Sequence, residues 1–219
     1  MKRIVFLFTA VLAFSLSTDA QLIRVNGYET ILNPTKAEEV PENLRAIQYK
    51  KYLSQDYKPA LVDDFKEKAY LRYNLFKDEM EFVKDENIYY LKKDVGRTVT
   101  FSDGTVYKVY GQKGKPHFFK VLSEGKNSLL SRQSVRFIEA KEATSGYDVA
   151  KPADYKRRKD VLFITIDGQN LVEVPGKKKS FYGIFGSKAS DVKTYIKKNK
   201  LNYKKANDLK QVVRFLNGL

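Results

Sequence analysis

The chain has 219 residues, with 41 Lys or Arg against 26 Asp or Glu, a formal net charge of +15, and neither cysteine nor tryptophan. The missing thiols exclude disulfide staples, thiolate metal sites, iron–sulfur clusters, cysteine nucleophiles and a lipid-attachment thiol. The basic surplus favours polyanionic partners without specifying one.

Lys2 and Arg3 precede an uncharged apolar stretch over 4–16, and Ser17, Thr18 and Asp19 lead to Ala20. Charge, apolar core and small residues in that order are a secretory signal, and the apolar stretch is short of the about 20 residues a bilayer span needs. The expectation is a signal peptide over 1–20, cleaved after Ala20, and an exported chain without a transmembrane span, resident in the periplasm or extracellular. Removing Lys2, Arg3 and Asp19 leaves 39 basic and 25 acidic residues, a net charge of +14 on 199 residues. That length supports one core, or a core with an appendage.

Residues 21–68 read as an irregular N-terminal segment, because Pro34, Pro41 and Pro59 interrupt it; a short helix is expected near 43–52. From 69 to 175 the character changes to short runs of Tyr, Phe, Val and Ile between charged or glycine-bearing turns. Strands are expected at 70–76, 79–83, 88–91, 99–101, 105–110, 117–122, 128–131, 135–138, 161–166 and 171–174. Asp103-Gly104 and Asp167-Gly168 supply the positive φ angles of hairpin turns, and Gly111 and Gly114 read as a flexible hairpin loop rather than a phosphate cradle, which would end in Lys-Ser/Thr. No helices separate the strands, so an antiparallel meander is expected, closed into a sandwich or open barrel.

After Pro175 the period becomes helical. Val192, Tyr195 and Ile196 share one face, and Ala206, Leu209, Val212, Val213 and Leu216 another; Ser187 and Asn202 are candidate N-caps and Gly218 a stop. The fold class is thus α+β, mainly β, with short amphipathic helices in a basic tail over 176–219. From 177 to 219 there are 12 basic residues against Asp191 and Asp208, a net of +10.

The runs LRYNLFKDEMEFVKDENIYYL over 71–91, FFKVLSEGKNSLL over 118–130 and VKTYIKKNKLNYKKANDLKQVVRFLNGL over 192–219 resemble an uncharacterised family of exported Bacteroidota proteins. The resemblance implies export and a β-rich body with a helical tail; the family brings no biochemical function and no catalytic residues.

Candidate chemistry is sparse. His117 is the only histidine, and no nucleophile elbow accompanies it, so it reads as a satisfied or solvent-facing side chain and no metal site is expected. Asp78, Glu79 and Glu81 are the carboxylates weighed for acid–base work, since glycan hydrolysis needs only two suitably spaced. Their simpler role is to decorate a turn. No catalytic residue and no cofactor is assigned. The basic tail is the feature with a functional slope, through Lys177, Lys178, Lys179, Lys193, Lys197, Lys198, Lys200, Lys204 and Lys205. The expectation is a non-enzymatic binding or structural module of the cell envelope, holding an anionic surface or a protein partner; the alternative is a carboxylate-based hydrolase of envelope or extracellular glycans. Nucleic acid is disfavoured, since no recognition motif accompanies the charge. Oligomeric state is not legible.

Overall fold

The computed structural model describes residues 32–34, 40–63, 65, 67–84, 87–144, 147–168 and 170–219. The expected signal peptide lies outside them. Thirteen strands and four short helices are present among the described residues: β1 (Leu32–Pro34), α1 (Glu42–Arg45), β2 (Lys58–Val62), β3 (Ala69–Asn74), β4 (Glu79–Lys84), β5 (Asn87–Leu91), β6 (Thr98–Phe101), β7 (Val106–Gln112), β8 (Lys115–Ser123), β9 (Leu129–Arg132), β10 (Val135–Ile138), β11 (Asp154–Arg157), β12 (Val161–Ile166), β13 (Asn170–Glu173), α2 (Lys178–Gly183), α3 (Ala189–Lys198) and α4 (Ala206–Asn217). A 3-10 turn over Gln48–Lys51 continues the short helical stretch expected near 43–52.

One long antiparallel sheet, in the order β1-β5-β4-β3-β2-β6-β7-β8-β9-β12-β13, curls into a half-barrel, and β10 and β11 pair as a separate ribbon. The chain is therefore mainly β and antiparallel, with short C-terminal helices, and its closure is that of an open barrel rather than a sandwich. Alternation sets the inward face: in β3, Ala69, Leu71 and Tyr73 are buried while Tyr70 is exposed. They join Val62, Met80, Phe82, Leu91, Val99, Tyr107, Val109 and Phe118 in the half-barrel core. Each of the Val, Leu, Met and Phe side chains among them contributes about 1.5–3 kcal/mol on burial.

Two features depart from the simple meander expected. β2 was hidden by Pro59, which lacks an N–H, yet it lies between β3 and β6; pairing with β6 begins at Ala60, and the Pro59 carbonyl accepts from the Ser102 N–H at 3.0 Å. The chain then runs outward through β3, β4 and β5 and returns across them to place β6 beside β2. Arg97 pins that return. Its side chain is buried and reaches Asp63 at 3.0 Å, Asp94 at 2.8 Å and the Lys92 carbonyl.

The C-terminal half of the sheet has a core on each face. Leu129 and Ile164 point under α2–α4, whereas their neighbours Leu130 and Phe163 point the other way and join Phe119 in a small second core. β13 folds back against β7 to enclose the latter.

Candidate functional site

The helices are built into the body. Val192, Ile196, Leu209, Val212, Val213 and Leu216 are buried against Leu129 and Ile164, together with Phe181 and Phe185 of the first helical segment. Asn217, the last residue of α4, fastens the end: its Oδ1 accepts from the Asn127 N–H at 2.7 Å and from Asn127 Nδ2 at 2.9 Å, and its Nδ2 donates to the Asn127 carbonyl at 2.9 Å. Gly125 in the same β8–β9 turn leaves room for that amide, since a Cβ there would lie 2.3 Å from Asn217 Nδ2. The expected caps are displaced. α3 starts after Lys188 and α4 after Lys205, neither with a side-chain cap, and Asn202 instead accepts from the Lys204 N–H at 2.9 Å within the preceding turn.

With the apolar faces consumed, the lysines are left in water. Lys178 and Lys179 lie on α2, Lys193, Lys197 and Lys198 on α3, and Lys177, Lys200, Lys204 and Lys205 in the flanking turns; all nine are exposed. None forms an ion pair among the described residues. Of the two acids in this region, Asp208 accepts the Asn202 N–H at 2.8 Å. No helix among the described residues is long and apolar enough to cross a membrane.

The carboxylates of the β3–β4 hairpin have internal partners. Glu81 is buried, bound through one oxygen by Arg72 at 2.7 and 3.2 Å and through the other by Asn74 at 2.9 Å. The Arg72 guanidinium is stacked between the rings of Tyr52 and Tyr57, 3.7 and 4.4 Å from their centroids. Burial, followed by the Glu81 charge, pushes the Tyr52 phenol far up. Glu79 pairs with Lys93 at 2.7 Å, yet its carboxyl titrates above its ordinary value because burial outweighs the pull of Lys93. Asp78, in the turn with φ +58°, accepts from the Tyr73 hydroxyl at 2.6 Å and lies 2.7 Å from His117 Nδ1. His117 is therefore a satisfied histidine, and the Asp78 contacts tie the β3–β4 turn to β8. Two further carboxylates, Asp56 and Asp103, line a cavity of about 160 Å³ in the half-barrel. The Thr105 N–H, 2.8 Å from Asp103, holds that carboxyl below its ordinary value, opposite to what a general acid requires.

One cluster escaped sequence reasoning. A cleft of about 370 Å³ opens over the second core, walled by the β7–β8 hairpin on one side and β12–β13 on the other. Lys113 and Lys115 stand at the hairpin rim, Glu173 on the opposite wall, and Val161 and Phe163 line the floor. Arg132 reaches in from β9, its Nη1 donating to Gln112 Oε1 at 2.8 Å and its Nη2 3.1 Å from His117 Nδ1. Period-2 alternation along β8, Lys115 then His117 then Phe119, was the available signal for this face; that β9 and β13 would complete it is not encoded locally. No family model matches the chain, and neither the curated proteins nor the solved structures contain a significant match to it.

Proposed function

We propose that this chain is an exported, non-enzymatic binding module of the cell envelope that docks on an anionic surface through the lysines of its C-terminal helices. The observation that carries this reading is the set of nine exposed lysines without ion pairs, five on helices whose opposite faces are buried against the sheet and four in the turns that flank them. Charge placed this way contributes nothing to holding the fold and remains available to a partner. The basic, apolar, small-residue order at the start of the sequence supports export to the periplasm or beyond. Docking would be peripheral, since the helices' apolar residues are already occupied.

The test is co-sedimentation with vesicles of anionic and of zwitterionic lipid across a salt series. Deleting the helices would uncover Leu129 and Ile164 and confound the result, so the comparison variant replaces Lys193, Lys197, Lys198, Lys204 and Lys205 with Gln. Binding to anionic vesicles alone, weakening as the screening length shrinks below about 10 Å and lost in the variant, is the expected result. Equal sedimentation of the variant, or none with either vesicle, would refute the reading.

A further inference from the structure

The cleft on the other face of the sheet holds an unresolved competition for one nitrogen. His117 Nδ1 lies 2.7 Å from Asp78 Oδ2 and 3.1 Å from Arg132 Nη2. A ring nitrogen is either a donor or an acceptor in a given tautomer. Were Nδ1 the acceptor, its lone pair would face a carboxylate oxygen at hydrogen-bond distance; as the donor it forms a charge-assisted bond to Asp78. The donor state therefore holds, and the Nη2 edge of Arg132 has no acceptor in His117.

Arg132 makes no ion pair among the described residues: Asp78 stands across the shared His117 Nδ1 rather than in contact with it, Glu173 lies on the opposite wall, and Gln112, a neutral group, takes its Nη1. This half-buried guanidinium contrasts with Arg72 and Arg97, each paired with a carboxylate. Half-withdrawing a cation from water with no carboxylate in direct contact is costly, and a ligand that brings one into contact is favoured. The guanidinium fork matches a planar carboxylate in geometry. Beside it Val161 and Phe163 present an apolar floor, Lys113 and Lys115 add positive charge at the rim, and Glu173 opposes any multiply charged anion.

We propose that the cleft between the β7–β8 and β12–β13 hairpins binds a small monocarboxylate, its carboxyl on Arg132 and its apolar body on Phe163 and Val161. The site is independent of the lysine face, because alternation along β9 and β12 places it on the opposite side of the sheet from α2–α4.

His117 is the only histidine in the chain, so its imidazole proton signals report on this cleft alone. The intact protein is titrated with butyrate and benzoate, and in parallel with benzamide and inorganic phosphate at matched ionic strength. Saturable shifts are expected with the two carboxylates, and at least about tenfold weaker responses with benzamide and phosphate. Arg132→Gln abolishes the carboxylate response; Lys113→Ala, which leaves the floor of the cleft intact, weakens it about two- to threefold by removing a rim charge. Should Arg132→Gln not fold, Lys113→Ala and the benzamide comparison decide the matter. Absence of a saturable carboxylate shift, equal binding of benzamide, or tighter binding of phosphate would each overturn the proposal. Substituting the helix lysines leaves the titration unchanged.

Discussion

The half-barrel and the helices that flank it handle charge in opposite ways. Within the half-barrel, Arg72, Arg97 and Lys93 each face a carboxylate, and Glu81, Asp63 and Glu79 are their counterparts. In the helical tail nine exposed lysines face no carboxylate among the described residues. Charge buried as deeply as Glu81 and Arg97 is compensated where it lies, whereas charge that keeps some access to water is free to be compensated by something else. The first set is therefore architecture and the second is surface, although residue type alone makes them look alike.

If that division is right, substitutions in the two regions should differ sharply. Glu81→Gln or Arg72→Met removes one side of a pair whose side chains are only 4% and 16% exposed. Either change should lower unfolding stability by about 3–5 kcal/mol in urea titration, because the remaining charge is stranded. Replacing both with apolar residues should recover much of the loss. A cost within about 0.5 kcal/mol for either single change would mean the pair behaves like a surface contact.

At the seam between the regions, Asn217→Ala removes three hydrogen bonds and leaves the Asn127 N–H with no acceptor. A loss of about 1–3 kcal/mol is expected. Gly125→Ala attacks the same contact from the other side, by driving a Cβ into the Asn217 amide. In a double-mutant cycle the second change should therefore cost less once the first is made; strict additivity would show that the seam is not held by this contact.

How much of this was legible follows from which interactions are local. Asp103-Gly104 and Asp167-Gly168 were readable as turns because glycine supplies the positive φ angle, and both glycines adopt it, at +79° and +75°. The stretch from Gly111 to Gly114, expected as a flexible hairpin loop, does form a hairpin, with Gly111 inside the β7–β8 ladder and a tight turn of two positive-φ residues at Lys113-Gly114. The lysine helices were legible because their apolar spacing and unbalanced charge lie within 43 consecutive residues. β11 was not, since Asp154–Arg157 pairs in an outlying ribbon with little apolar alternation. The return from β5 to β6 rests on Arg97 reaching Asp63, and the candidate cleft on strands that meet only in space. Period 2 assigns a residue to a face and is silent about its neighbours across the sheet.

A smaller effect probes the boundary between paired and merely buried charge. Glu79 has a counter-ion in Lys93, yet burial dominates and raises its carboxyl above the ordinary value of 4.5. The folded state then holds a proton at pH values where the unfolded chain has lost it, so this group's contribution to stability falls as pH rises from 4.5 through the raised folded value. Glu79→Gln removes that dependence. The variant should gain on the parent in urea midpoints as pH rises from 4.5 through the raised folded value; a gap that stays constant, or moves toward the parent, would place Glu79 with the fully compensated charges.

The helix lysines should show the smallest change in stability. Lys193→Gln, Lys197→Gln and Lys198→Gln break no ion pair and bury nothing, so each should alter stability by no more than about 0.5 kcal/mol. Combined, they should stabilise the fold slightly at low salt, because neighbouring like charges on α3 repel, and the gain should fade as salt is added. A clear loss of stability on neutralising them would assign these lysines to the architecture and leave their charge no longer free for a partner.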